Sequence, residues 1–270
     1  MFVTRLISGV ILLAVMIGAV CIGGPVLFGF LLIVSLIGMF ELYRATNVRK
    51  QSENLLTIVS YAGAIGFYVL VWFGARDYYM PGVCVAMIAL LFIYVFTYPN
   101  YHADQVMTAF FGIVYVAVSL SFIYQIRYLA DGQFSVWLVF ICSWGCDTMA
   151  YVAGRLFGKH KMAPVLSPKK TVEGAIGGVI GAAVIGAIYA AVIGKYLHTG
   201  GNKILIFALI GAAGALASMV GDLAASAIKR NHNIKDYGNL IPGHGGILDR
   251  FDSVIITAPI IYLMAYATAG

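Results

Sequence analysis

Apolar runs of roughly 20 residues recur along this chain from end to end, separated by short polar breaks. An α-helix rising 1.5 Å per residue needs about that length to cross the hydrocarbon core of a bilayer. Hydrophobic residues make up 61% of the chain and charged ones 10%, with a mean hydropathy of +0.93. A soluble domain carries roughly 25% charged residues, so a water-soluble fold is excluded.

Cutting at the polar breaks predicts nine spans, near 6–22, 26–42, 55–75, 82–98, 107–126, 133–153, 172–194, 204–227 and 252–269. The expected fold is therefore an all-α, polytopic integral membrane bundle. Gly23-Gly24-Pro25 makes the first turn, and the two long connectors are Gly154–Thr171 and Ile228–Phe251. The stretch from Arg5 to Cys21 has a signal-peptide outline, but Val20 is a poor cleavage residue and further spans follow. We read it as a retained first helix.

Basic residues set the expected orientation. With the N-terminus inside, the cytoplasmic side holds Arg5, Arg44, Arg49, Lys50, Arg155, Lys159, Lys161, Lys169, Lys170, Lys229, Arg230, Lys235 and Arg250. Only Arg76, Arg127, Lys195 and Lys203 fall on the other side. This asymmetry predicts a multi-pass protein of the cell membrane with both long connectors facing the cytoplasm. Topology alone accounts for Arg44, Arg49 and Lys50.

No internal repeat of the transporter kind is evident. Residues 1–130 hold almost no ionisable group within their spans apart from Glu41 at a span end, and read as scaffold or lipid-facing wall. Residues 131–270 concentrate the polar groups. Gly174 and Gly178, Gly177 and Gly181, and Gly211 and Ala215 have the spacing that lets helix backbones approach in lipid. Internal packing is the simpler reading of these pairs, and a homodimer seam is the alternative. Cys21, Cys84, Cys142 and Cys146 form neither a disulfide framework nor a CxxC metal site.

Ionisable residues within spans are costly and mark function. Asp147, in SWGCDTMAY, lies seven residues before Gly154-Arg155, and Asp222, in SMVGDLAAS, lies seven before Lys229. Both then sit about 10 Å beneath the same surface, where a shared site becomes possible. Asp222, Ser226 and Lys229 fall on one helical face bordered by Arg230. A carboxylate below, a hydroxyl midway and cations at the mouth suit a metal-bound polyphosphate.

Downstream, Ser226–Ser253 packs four cations, three carboxylates and two histidines around a Pro-Gly-His-Gly-Gly turn. Gly243, Gly245 and Gly246 allow backbone N–H groups to approach an anion. Asp249 and Asp252 share a helical face, and the Arg250 fork suits phosphate oxygens. Carboxylates beside phosphates are the usual setting for magnesium.

The run Ser226-x-Ile228-Lys229-Arg230-x4-Lys235-Asp236-x-Gly238-x2-Ile241-Pro242-x-His244-Gly245-Gly246-Ile247-x-Asp249-Arg250-Phe251-Asp252 resembles the defining motif of the phosphatidate cytidylyltransferases, also called CDP-diacylglycerol synthases. It does so without departure across those positions. Ser167-Pro168-Lys169-Lys170-Thr171-x-Glu173-Gly174 is also similar to bacterial members, whereas the first five spans match only in general character. The resemblance implies that CTP and phosphatidate give CDP-diacylglycerol and pyrophosphate with Mg2+, and a second cation is conceivable.

On that basis Asp222 and Asp249 are the expected metal ligands, with Asp147 contributing through water. Lys229, Arg230, Lys235 and Arg250 would hold phosphates of CTP and lipid, and His244 would orient a phosphate or protonate pyrophosphate. Ser226, Gly245 and Gly246 would line the substrate, with Asp236 and Asp252 orienting the cations. Lys169, Lys170 and Glu173 are candidate substrate contacts; the lysines could instead attract anionic lipid headgroups. Ser167 or Thr171 could cap the next helix. A CTP-dependent kinase of a membrane-embedded alcohol is the alternative enzyme, a transporter a more distant one. No nucleic-acid polymer is expected as a partner.

Overall fold

The computed structural model describes residues 2–48, 55–243 and 245–268, with backbone alone for residues 2–6. Among the described residues the chain is a series of apolar helices. They are α1 (Phe2–Ile22), α2 (Gly24–Ala45), α3 (Leu55–Trp72), α4 (Tyr79–Phe96), α5 (Ala103–Gly112), α6 (Ser119–Arg127), α7 (Gly132–Phe140), α8 (Cys146–Phe157), α9 (Val172–Ile193), α10 (Lys203–Asn231) and α11 (Leu248–Thr268). π-Helical turns at Ile113–Val118 and Ile141–Gly145 run α5 into α6 and α7 into α8.

Among the described residues eight continuous helical runs are long and apolar enough to cross a membrane, and α1 supplies a shorter apolar stretch, Ile7–Ile22. Each expected span has its helix. The protein is an all-α, multi-pass membrane protein. Polar ends run further than expected: α8 reaches Phe157 and α10 reaches Asn231. At 29 residues, α10 is about 43 Å long, beyond the roughly 30 Å hydrocarbon thickness. Lys229 and Arg230 in its last turn complement the helix dipole.

The chain divides into two compact units, one of residues 1–121 with 232–250 and one of residues 122–231 with 251–270. In the first, two buried tyrosine hydroxyls find partners on neighbouring helices, which offsets the cost of placing them in lipid. Ser35 Oγ and Tyr68 OH are 2.8 Å apart, and Tyr43 OH donates to Ala109 O at 2.7 Å.

In the second unit small residues are spent on helix packing. A β-carbon added at Gly178 of α9 would lie 2.9 Å from Cys146 Sγ, and one at Gly211 of α10 would lie 2.6 Å from Ala182 O. Gly214 meets Cys142 and Ile261, and Gly221 meets Asp252 O and Ile256, so α10 also packs closely on α11. The Gly/Ala spacing thus serves internal contacts. Cys142 and Cys146 are buried thiols within them.

The connector before α9 contains a feature that the sequence does not announce. β1 (Lys161–Ala163) pairs antiparallel with β2 (Ser167–Thr171), Lys161 opposite Thr171 and Ala163 opposite Ser167. Pro168 lacks an N–H, which a two-stranded ribbon tolerates because both strands are edges. Thr171 closes the ribbon and caps α9, accepting Gly174 N–H at 3.1 Å. Ser167 lies in the strand, so the cap is Thr171.

Elsewhere in this unit, Asp131 ties two inter-helix turns together. Its carboxylate accepts from His198 N (2.7 Å), His198 Nδ1 (2.8 Å), Thr199 N (2.8 Å) and Thr199 Oγ1 (2.9 Å). Burial alone would raise its pKa, but the hydrogen bonds from His198 and Thr199 outweigh it and hold the carboxyl below its ordinary value. The stabilisation is thus present above the unfolded carboxylate pKa of about 4 and is lost as pH falls through the depressed folded value. Asp131→Ala should cost about 1–3 kcal/mol at neutral pH. In detergent melts of wild type and variant, that gap should shrink below about pH 4.

Candidate active site

In the second unit, the ends of α8, α9 and α10 and the hairpin enclose a cavity of about 480 Å³. Asp147 lines it from α8, Ser167, Lys169 and Lys170 from β2, Thr171 and Gly174 from the start of α9, and Asp222 from α10. Its polar lining therefore comes from both of the intramembrane carboxylates singled out in the sequence, together with two consecutive lysines. Tyr151, Met162 and Met219 supply apolar wall.

Local sequence explains how these groups meet. The π-helical turn Ile141–Gly145 ends directly before Cys146-Asp147 and resets the face that α8 presents. Gly154, Gly174 and Thr171 then bring α8 onto the start of α9: a β-carbon at Gly154 would sit 2.9 Å from Thr171 Oγ1. Both lysines of β2 line the cavity, Lys169 exposed and Lys170 half-buried. Lys170 forms an ion pair with Asp222, each side chain about one quarter exposed.

Asp252, buried on α11, is within electrostatic range of Asp222, Lys229 and Asp147. Ser226 is half-buried on α10, and Arg230 is exposed at the helix end. Glu173 acts locally. Its carboxylate accepts Lys159 N at 3.0 Å, His160 N, and His160 Nδ1 at 2.6 Å, anchoring the chain as it enters the hairpin.

The first unit holds a second cavity of about 290 Å³, lined by Lys235, Asp236, Asn239, Ile241, Gly243, Gly245 and Arg250. Gly243 and Gly245 have φ of 79° and 85°, a region few other residues adopt. Ile241 N donates to Gly245 O at 2.9 Å and closes the turn. Arg250 Nε is buried with no hydrogen-bond partner among the described residues. Asp249 shapes this loop, its Oδ2 accepting Tyr237 N at 2.8 Å and Gly246 N at 3.0 Å. Asp222 and Asp249, expected on one metal, belong to different units. His244, Arg49 and Lys50 lie outside the described residues.

Two roles are not visible in the sequence. Arg44, assigned to topology alone, donates Nη2 to Tyr237 O at 2.6 Å. Glu41, taken as part of a scaffold, is buried and accepts Ile247 N at 3.1 Å and Leu248 N at 2.8 Å. A carboxylate inside an apolar span was the available signal; its partner lies 206 residues away in sequence, beyond the reach of any local pattern.

A polytopic helical membrane protein with carboxylates and cations gathered in cavities at its helix ends has the make-up of an enzyme for phosphate chemistry. The chain matches the Cytidylyltransferase family over residues 3–268 and belongs to it. It is 31% identical to the phosphatidate cytidylyltransferase of Staphylococcus haemolyticus, over 96% of this chain and 97% of that protein. For the enzyme of the same name from Staphylococcus aureus the identity is 32%, over 96% and 97%. For that of Staphylococcus epidermidis it is 29%, over 98% and 99%.

The Lys170–Asp222 pair gives a direct test. Lys170→Met should leave Asp222 without its cation and lower stability, while Asp222→Asn/Lys170→Met should lose less than the sum of the single changes. Thermal or denaturant unfolding should give a coupling of about 0.5–3 kcal/mol. Strict additivity would mean that the two charges do not interact.

Proposed function

We propose that this protein transfers the cytidylyl group of CTP to phosphatidate, releasing pyrophosphate and leaving CDP-diacylglycerol in the membrane. The observation that carries the reading is the cavity where Lys169, Lys170, Asp147 and Asp222 meet at helix ends, in a chain related along its length to phosphatidate cytidylyltransferases. The lipid phosphate is already an anionic nucleophile, so no strong base is needed. One of its oxygens bonds to the α-phosphorus of CTP as the bond to the bridging oxygen of the β-phosphate breaks. The barrier comes from repulsion between two polyanions and from charge gathering on pyrophosphate. Positioned cations relieve both.

Lys169 and Lys170 are our assignment for the phosphates in the first cavity, with Lys229 and Arg230 at the end of α10. Lys235 and Arg250 take the same role around the second cavity, where positive-φ glycines expose backbone N–H groups. Among the described residues no group of three or more His, Cys, Asp or Glu is placed to hold a metal ion alone. Magnesium usually binds one or two carboxylates and completes its shell with substrate phosphates and water. Asp222, with Asp147, is the pair we assign to it. When bound, the ion would neutralise phosphate charge. Asp252 lies where it can orient Lys229. The excess of basic residues on one side of the nine spans supports a cytoplasmic setting for the site.

The test is conversion by detergent-purified, lipid-supplemented protein. Radiolabelled CTP and phosphatidate should give labelled CDP-diacylglycerol on a thin-layer plate with magnesium and none with chelator. Asp222→Asn should lower turnover at least about 100-fold while the protein stays folded, a typical loss for a group that stabilises transition-state charge. No product from the wild-type chain would overturn the reading.

A further inference from the structure

We propose that Glu41 is a positioning residue for this reaction, acting through the loop that presents Lys235, Asp236 and Arg250. The inference rests on the reading just given and adds a residue that lies outside both cavities.

The start of α11 has an acceptor problem. Its first backbone N–H groups lack partners within the helix, and Ile247, directly before it, has no polar side chain to cap them. Ile247 and Leu248 are buried, so their N–H groups cannot be left to water. Glu41 supplies the missing acceptors from α2, one carboxylate oxygen to Ile247 N and the other to Leu248 N. An anionic group is also favoured at that end of a helix.

The carboxylate is gripped by the loop it serves. Gly238 and Gly246 both pack against it, and a β-carbon at either would collide with its oxygens. One turn further along α2, Arg44 holds Tyr237 O, and from α1 Ser8 Oγ donates to Pro242 O at 3.0 Å. From inside, Asp249 holds Tyr237 N and Gly246 N. The loop is therefore pinned at both ends and at its tip, and Glu41 is the contact fixing the first turn of α11, where Arg250 sits. The glycines here serve two ends: Gly243 and Gly245 bend the turn, while Gly238 and Gly246 make room for the carboxylate.

The chemistry of Glu41 makes the idea specific. Glutamine keeps the size but replaces one oxygen by an NH2 group, so either Ile247 N–H or Leu248 N–H would face another donor. Loop and helix start would shift apart, and small misplacements of phosphate-holding groups are expensive.

The experiment uses the full-length protein in lipid nanodiscs and compares Glu41→Gln with Tyr43→Phe. Tyr43 is equally buried on the same helix, but its hydroxyl bonds Ala109 O and not the loop. Glu41→Gln should lower kcat about 10- to 100-fold, with a smaller change in KM for CTP, and should speed amide hydrogen exchange in the 237–250 peptide. Tyr43→Phe should lower the melting temperature while keeping wild-type kcat and wild-type exchange in that peptide. Wild-type kcat and exchange in Glu41→Gln would overturn the proposal, as would turnover losses in both variants that merely follow their melting temperatures. If the wild-type chain makes no CDP-diacylglycerol, the functional reading fails, and unchanged exchange at 237–250 would then remove the brace as well.

Discussion

Lys170 and Asp222 meet among apolar helices, and the chemistry proposed for the second unit depends on that meeting. A lone carboxylate on α10 would be costly to place there. A lysine arriving on a strand, rather than on a neighbouring helix, gives the charge a partner without filling the space beside it. The hairpin can reach because Thr171 ends it and starts α9 in a single residue, and because Gly154 and Gly174 let α8 and α9 close beneath it. Small residues thus do two linked things: they hold the helices together in lipid, where no hydrophobic force would, and they leave a polar cavity where the helices end.

The first unit solves a related problem with backbone rather than side-chain charge. A loop carrying Lys235, Asp236 and the glycine turn has to hold its shape next to a membrane while its own N–H groups remain available to an anion. Carboxylates at 41 and 249 take four of the surrounding N–H groups and Arg44 takes a carbonyl. Facing the cavity are Lys235, Asp236, Asn239, Arg250 and a turn bent by positive-φ glycines. Arg250 Nε is buried without a hydrogen-bond partner among the described residues, and phosphate is the partner we propose for it.

Much of this was legible in the sequence because lipid makes the code simple. Length and apolarity locate each helix, and Asp147 and Asp222 stand out because charges are rare inside spans. Both line one cavity. The Gly-xxx-Gly spacing of α9 likewise announced close packing. The hairpin was not legible: Lys161–Thr171 has two prolines and three lysines, and no alternation of apolar residues to announce strands. Lys170 could therefore be named but not aimed. The contacts of Arg44 and Glu41 were not legible for a different reason. Each has a sufficient local explanation, a topology signal and a span end, and its partner lies some two hundred residues away. Long-range backbone partners leave no periodic trace.

The central claim is that Asp222 is where the cation that accompanies CTP is held. Manganese, a spectroscopic stand-in for magnesium, tests it most directly: electron paramagnetic resonance of the purified full-length protein would count bound Mn2+ with and without CTP. The account predicts CTP-dependent Mn2+ binding in the wild-type chain that disappears in Asp222→Asn and survives in Asp131→Ala. Wild-type Mn2+ binding by Asp222→Asn in the presence of CTP would contradict it.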